Sequence, residues 1–406
     1  MNMFNETVRN ALSKVIKDIG FQNSDINISL ASNPGDNYGG TLYRIQISGE
    51  KEGLQTTHNL VCKVPIENFK LNLNLAFNRE VHVYQNILKT FEEFQKEKGL
   101  TENYKFKSYV HCYDSGCLKN SEYIIMDDLK SNSYVMLNKL SKINRPHVEL
   151  VVKALAEFHA LSFALKDQRK EVFQKISNVP EVLVGVLSER AFLDMCDFGL
   201  AQAVEALNKC DEDLQDKVRK VRENLLATVK EFFNGVGSED YCVINHADCW
   251  NNNMMFKYED DKPVQVCLFD WQLCRLCSPV VDLVNYFYNS TEREMLEDHF
   301  DDLMSVYHEH LSNFIVTLGS DPKVLYPYEQ FEKDLRKYAV FPFIACCSNL
   351  FLLLSDPDKP PVLNDMAEDS EKDIGSVLAF QDQKRQNLYN IRINDIVKHA
   401  AKRKFI

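Results

Sequence analysis

The sequence predicts an α+β chain of two lobes: a small β-rich block over residues 1–130 and a larger, mainly α-helical block over residues 131–406. Three observations predict it. Segments with period-two alternation cluster in the first 130 residues, where one long helical stretch divides them. Helical periodicity dominates from Pro146 onward. The 406 residues, 45% hydrophobic and 26% charged, also suffice for two cores at ordinary globular composition.

Residues 4–19 read as an amphipathic helix. Residues 41–49 and 57–65 alternate like two strands of a hairpin, joined by the polar Glu50–Gly53 turn. A helix is expected from about Leu71 to Lys98, then strands at 107–115 and 121–127. The junction between lobes falls near 127–132, and 131–139 reads as a connection plus a short helix. Pro146 suits the first turn of a helix whose continuation is apolar on two sides, as in a buried helix. Further helices are expected at 188–208, 211–233, 292–316, 326–354 and 377–403. Short strands fall near 242–245, 253–256 and 264–269, and Asp356–Asp373, rich in proline and acidic residues, reads as an exposed loop.

The charge sum, 47 − 59 = −12, argues against binding a nucleic-acid backbone. Phosphate must then be held locally, by backbone amides, a cation or two, or a metal. The N-terminal residues lack a basic stretch followed by an apolar one, so no signal peptide is expected. The longest apolar run, Tyr338 to Leu354, is interrupted by Pro342, Ser348 and Asn349 and reads as a buried helix, not a membrane span. Twelve cysteines without framework spacing are expected to be free thiols in a cytoplasmic protein.

The chemistry concentrates in His246-Ala-Asp-Cys-Trp-Asn-Asn-Asn253 and Leu268-Phe-Asp-Trp-Gln272. Asp248 follows one apolar strand, Asn253 opens a second, and Asp270 ends a third. Two carboxylates and an amide gathered at strand ends can orient a hydroxyl and hold Mg²⁺, which prefers oxygen ligands and takes several from phosphate and water. Phosphoryl transfer needs that set, because its catalysis is mainly positioning and charge neutralisation.

This constellation resembles the protein-kinase-like fold in its aminoglycoside phosphotransferase and choline kinase branch. It is closest in kind to the ecdysteroid-kinase-like family, also called CHK kinase-like or juvenile-hormone-inducible. That family shows His-Gly-Asp-x-Trp-x-x-Asn-x-Met-Phe, and His246, Asp248, Trp250, Asn253, Met255 and Phe256 stand in register. The resemblance covers roughly residues 25–350, with the motifs in order, and it implies a bilobal protein-kinase-like fold and ATP and Mg²⁺ as cofactors. Asn33-Pro-Gly-Asp-Asn-Tyr-Gly-Gly-Thr-Leu-Tyr-Arg44 resembles the phosphate loop, which places Gly35, Asp36, Asn37, Tyr38 and Gly39 against the nucleotide. Alone, its first four residues would read as a β-turn. Val61-Cys-Lys63 resembles the strand whose lysine reaches the phosphates, with Glu80 on the next helix as its partner. Tyr123-Ile-Ile-Met-Asp-Asp-Leu129 resembles the hinge, so Met126, Asp127 and Leu129 are expected at the adenine, with Phe269 below it. Asp248 and Asn253 take the catalytic places, and Asn253 and Asp270 the metal. Pro279-Val-Val-Asp282 matches a helix start that braces the catalytic loop.

His246 is expected to shape that loop by bonding backbone near Asp270, and His159 to be a core residue. Cys274-Arg-Leu-Cys277 reads as two free thiols, and Cys346 and Cys347 as packing residues. Ala247 replaces the usual glycine, which is tolerated if its φ is not positive. Asn251 and Cys249 also depart from the pattern. No activation segment separates Asp270 from the Asp282 helix, so the acceptor is expected to be a small alcohol, a steroid among the candidates, and not a protein. Its pocket is expected from helices within 180–235 and 290–355, with Tyr286, Phe287 and Tyr288 available as an aromatic cage for a choline-like cation. The alternative is a catalytically inactive kinase-like protein that binds nucleotide or an apolar ligand.

Overall fold

The computed structural model describes residues 4–31, 40–66, 73–138, 141–178, 182–186, 188–207, 210–233, 240–356, 361, 365 and 372–406. It opens with α1 (Glu6–Ile19), whose Asn5 cap accepts a hydrogen bond from the Val8 N–H and whose end is turned by Gly20 at φ 97°. Three antiparallel strands follow: β1 (Gln22–Leu30), β2 (Thr41–Lys51) and β3 (Leu54–Val64). Glu52 and Gly53, both at positive φ (52° and 78°), connect β2 to β3. Two such residues make the tight turn whose twist matches its strands, so the expected hairpin forms with longer arms than predicted. Near this same end of β2, a Cβ on Gly49 would sit 2.9 Å from the Ser24 Cα, beside the register shift in β1. Only glycine fits that close approach.

β1 itself was not expected. QNSDINISL carries few apolar residues because β1 is an edge strand, mostly exposed or half-buried, with Ile26 and Ile28 resting on the core beneath α1. The helix that follows the hairpin is α2 (Leu73–His82), which runs through a π-helical turn (Val83–Leu88) into α3 (Lys89–Glu97). β4 (Cys112–Gly116) and β5 (Tyr123–Asp127) complete a sheet of order β1-β2-β3-β5-β4. Alternation along β5 divides its side chains. Tyr123 and Ile125 join Val8, Leu12, Ile45 and Leu60 under α1, whereas Ile124 and Met126 join Phe77, Ile87 and Phe91 in a core continuous with the helical lobe.

Residues 131–138 do not form the expected short helix. β6 (Tyr134–Val135) instead adds a third strand to β8 (Met254–Glu259) and β9 (Lys262–Leu268), and β7 (Val243–Asn245) pairs with β10 (Arg275–Cys277). The buried α4 (Arg145–Gln168), capped by Asn144, is the spine of the C-lobe. Around it lie α5 (Lys170–Ser177), α6 (Leu183–Val186), α7 (Glu189–Ala206), α8 (Glu212–Glu223) and α9 (Leu225–Phe233). Then come α10 (Val280–Ser290), α11 (Phe300–Thr317), α12 (Pro322–Leu325), α13 (Tyr328–Tyr338), α14 (Val340–Leu353), α15 (Ile374–Leu378) and α16 (Gln383–Lys402). Two of the expected helices are each divided. Asn224 separates α8 from α9, its side-chain amide taking the Lys220 carbonyl one turn back. Pro342 has no N–H for the Tyr338 carbonyl, and the chain breaks at Ala339, which leaves the proline in the first turn of α14. Among the described residues no helix is long and apolar enough to cross a membrane.

Candidate active site

Lys63 lies on β3 opposite Leu42 and Ile124, and its side chain points under the sheet toward α2. Its Nζ donates to Glu80 Oε2 at 2.6 Å and to Asp270 Oδ1 at 2.9 Å. Both Lys63 and Glu80 are buried. Burial works against the ammonium, but the two carboxylates outweigh it, so Lys63 is held protonated above the ordinary lysine range. Beside it, a Cβ on Gly40 would meet the Val64 carbonyl at 2.9 Å and the Lys63 Cε at 3.1 Å. Glycine is needed there for the chain to pass over the lysine stem. Gly35, Asp36, Asn37, Tyr38 and Gly39 lie outside the described residues.

The catalytic loop leaves β7 at Asn245 and is shaped by one buried carboxylate. Asp282, in the first turn of α10, accepts the His246 N–H and the Ala247 N–H, each at 2.7 Å. His159 Nε2 sits 3.2 Å from the same carboxylate, and its other ring nitrogen meets the Tyr307 hydroxyl. His159 is thus a core residue, as expected, and it acts on the loop through Asp282. His246 Nε2 lies 3.0 Å from the Phe269 carbonyl and its ring packs on Trp271, the structural role expected for it. Ala247 sits at φ 63°, so the condition under which its methyl would be harmless is not met.

A single 3-10 turn, Asn251–Asn253, then leads into β8. Asn253 Nδ2 donates to the Asp248 carbonyl at 2.9 Å and to Asp248 Oδ2 at 2.8 Å, and the Asn253 carbonyl accepts the Phe269 N–H. Those bonds tie Asp248, Asn253 and Asp270 into one unit. Asp270 itself is at φ 64°, where the chain turns out of β9. Burial, reinforced by the charge of Asp270, pushes the Asp248 carboxyl up to about 7. Asn251 takes no place beside the metal candidates. Its backbone and side-chain N–H groups donate to Ser290 at the end of α10.

At the hinge, Val61 pairs with Met126, and the Asp127 and Asp128 N–H groups are spent on the His111 and Asn59 carbonyls. The Leu129 N–H has no hydrogen bond among the described residues, which leaves it as the open donor of the segment.

Asp248, Asn253 and Asp270 line one wall of a cavity of about 260 Å³. Its other walls come from α6, α7, α9 and α14, within the helical segments expected to form a pocket, and from α2 and α10, which lie outside them. Phe192, Met195, Phe232, Phe341 and Leu352 make them largely apolar. Tyr286, Phe287 and Tyr288 do not form a cage. All three are fully buried in the core on the other sides of α10.

The family description "Ecdysteroid kinase-like" matches residues 34–320, a span that holds Lys63, Glu80, Asp248, Asn253, Asp270 and Asp282. The chain belongs to the ecdysteroid kinase-like family. Membership of that kinase-like family supports a small-molecule kinase. No curated protein matches it in sequence. Among solved structures, the GDP and kanamycin complex of APH(2")-IIia is 12% identical, with 85% of this chain and 91% of that one covered and a TM-score of 0.41. Spectinomycin phosphotransferase in complex with ADP and spectinomycin is 10% identical, with 98% of each chain covered and a TM-score of 0.39. A microcompartment-associated aminopropanol kinase is 9% identical, with 98% and 99% covered and a TM-score of 0.43.

In this ecdysteroid kinase-like protein, the cavity face of α10 was missed from sequence. Val281, Asn285 and Asn289 line the cavity at a spacing of four, one face of a helix. The aromatic run beside them drew attention instead. Arg275, on β10, also reaches the cavity, with its guanidinium stacked 3.9 Å over the Phe232 ring.

Proposed function

We propose that this kinase transfers the γ-phosphoryl group of MgATP to a hydroxyl of a small, largely apolar alcohol, with a steroid-like alcohol as the leading candidate. The observation that carries the reading is the juncture of Lys63, Asp270, Asn253 and Asp248 at the edge of one apolar cavity. The donor set fits a hard cation bound together with phosphate. Asp270 offers a carboxylate, and Asn253, whose Nδ2 is committed to Asp248, is left with its amide oxygen to offer. MgATP would supply the transferable phosphoryl group and the cation that offsets its charge.

Within this reading, Lys63 is held by Glu80 as a fixed positive charge for the phosphates. Its bond to Asp270 supports this reading, since the carboxylate assigned to the metal lies within reach of that charge. Asp248 accepts a hydrogen bond from the acceptor hydroxyl, aligns it for attack, and takes its proton late, when the alcohol has become acidic enough for a carboxylate. Asn253 keeps Asp248 in place through its two amide bonds. The apolar walls exclude water, the competing acceptor.

The test is ADP release by the full chain with Mg²⁺ and ATP, with and without a panel of neutral alcohols. Release that depends on the alcohol, and falls by roughly 10²–10⁴ in Asp248→Asn while nucleotide affinity holds, is the expected result. Full turnover by Asp248→Asn would remove its assigned role. Failure to bind nucleotide by well-folded protein would remove the reading altogether.

A further inference from the structure

Asp128 follows β5 at the junction of the lobes and is only 2% exposed. A carboxylate buried to that degree must be paired. Arg44 Nε lies 2.6 Å from its Oδ2, and Arg44 Nη2 lies 3.4 Å from its Oδ1. The Ser131 hydroxyl donates to Oδ2 at 2.9 Å and the Lys130 N–H to Oδ1 at 3.2 Å. One carboxylate thus closes the turn that leaves the hinge and ties that turn to β2, 84 residues away.

The tie crosses the sheet. Arg44 stands opposite Val61 of β3, and Val61 stands opposite Met126 of β5. Leu42, two residues before Arg44, stands opposite Lys63. Residues directly opposite, or two apart on one strand, share a face, so Arg44 lies on the Lys63 face of the sheet. β2 begins just after Gly40, where the chain passes over the lysine stem. Arg44 therefore belongs to the strand that leaves the phosphate end of the proposed nucleotide site, and Asp128 to the turn at its base end. Leu129, with the open N–H, is the next residue. Its carbonyl accepts the Asn132 and Tyr134 N–H groups. Those two bonds on one side and the Asp128 carboxylate on the other fix where the Leu129 N–H points. A two-pronged arginine–carboxylate pair supplies direction as well as energy.

We propose that Arg44 and Asp128 are positioning residues for the nucleotide. Their ion pair holds β2 and the hinge turn at a fixed separation, which sets the Leu129 N–H against the base while Lys63 meets the phosphates. Neither side chain touches the nucleotide in this role. The inference rests on the nucleotide site proposed above and concerns binding of the base, not of the acceptor.

The experiment is calorimetric titration of the full chain with MgATP and with Mg²⁺ tripolyphosphate, which keeps the phosphates and lacks the base. Arg44→Met removes the guanidinium at similar length. Asp128→Asn keeps an acceptor for the Lys130 N–H but turns an NH₂ toward Arg44. Each is expected to weaken MgATP binding by about tenfold and tripolyphosphate binding by less than about twofold, since a charge-assisted bond is lost at the base end alone. The double variant is expected to bind MgATP within about twofold of either single one, because the two residues act through one contact. Arg44→Lys keeps the charge but not the planar fork, so it is expected to recover all but about threefold, and it gives the readout if the other variants do not fold. Unchanged ATP affinity in these variants overturns the inference, as does an equal loss for both probes. A loss in Arg44→Met without one in Asp128→Asn also overturns it, since the guanidinium would then touch the nucleotide directly. No ATP binding by folded wild type removes the nucleotide site and the inference together, whereas ATP binding indifferent to the pair removes the inference alone.

Discussion

Asp282→Asn tests how the catalytic loop is held. The native carboxylate is fully buried and accepts two backbone N–H groups at 2.7 Å, one on each oxygen. An asparagine offers a single acceptor oxygen. With its NH₂ in one position it confronts the Ala247 N–H; in the other it confronts the His246 N–H and the His159 ring. Either way a buried backbone donor faces a donor. Loss of a charge-assisted bond costs about 1.5–3 kcal/mol, and an unsatisfied buried donor costs about 1–3 kcal/mol. The two overlap, so about 2–4 kcal/mol is a reasonable total. Ala247 decides where that energy appears. Its positive φ is unfavourable by roughly 1–2 kcal/mol for a residue with a Cβ, and the Asp282 bond holds it there. Once the bond is lost, the loop can relax to negative φ and carry Asp248 with it. We expect Asp282→Asn to lower turnover by roughly 10²-fold while MgATP affinity, which the proposal assigns to Lys63 and Asp270, changes little. Urea unfolding should also lose part of the about 2–4 kcal/mol. Turnover within threefold of wild type, with an unchanged unfolding midpoint, would refute the bracing argument.

Ala247→Gly acts on the same strain from the other side. It should stabilise the protein by about 0.5–1 kcal/mol, the left-handed cost less the extra entropy of glycine, and a lower unfolding midpoint would count against it. Asp270→Ala should abolish the Mg²⁺ dependence of nucleotide binding, read by calorimetry; unchanged affinity would sink the metal assignment. The pH dependence of Asp248 has a definite sign. Its carboxyl ionises near 3.8 when unfolded and near about 7 when folded, so between those values the folded state binds the extra proton. Stability of the nucleotide-free protein should therefore fall as pH rises from 4 to 7, and Asp248→Asn should flatten that slope. A wild-type slope of the opposite sign, or an unchanged slope in the variant, would show that burial and Asp270 do not govern this group.

The groups proposed to react could be picked out because their spacing is short and their context simple. Asp248 and Asn253 are five residues apart at strand ends, so little else in the chain can move them relative to each other. Lys63 and Glu80 are far from Asp270 in sequence and were placed by family resemblance; the geometry brings all three within bonding distance. The edge strand β1 was not legible because its outward face is polar and its inward face offers little more than Ile26 and Ile28 to the core. Helix breaks at Asn224 and Ala339 depend on single side-chain or proline effects inside otherwise periodic runs. The conformation of Ala247 could not be read either, since an alanine does not announce positive φ in the way glycine does.

The cavity face of α10 was the larger omission, and its position links recognition to catalysis. Along one side of this helix, Asp282 holds the start of the loop, Asn285 holds the Cys249 carbonyl, and Ser290 holds Asn251. Val281, Asn285 and Asn289 meanwhile form part of the wall against which an acceptor would rest. Asn285 does both. Most of the apolar wall belongs to α7, α9 and α14, which give the cavity its shape without touching the loop in this way. A ligand that engages α10 therefore presses on the element that fixes Asp248, whereas one filling only the far walls does not. Binding energy can be spent on aligning the reacting hydroxyl only through the former contact. A contact made on α10 is therefore worth more for alignment than an equal contact on the larger apolar area opposite it.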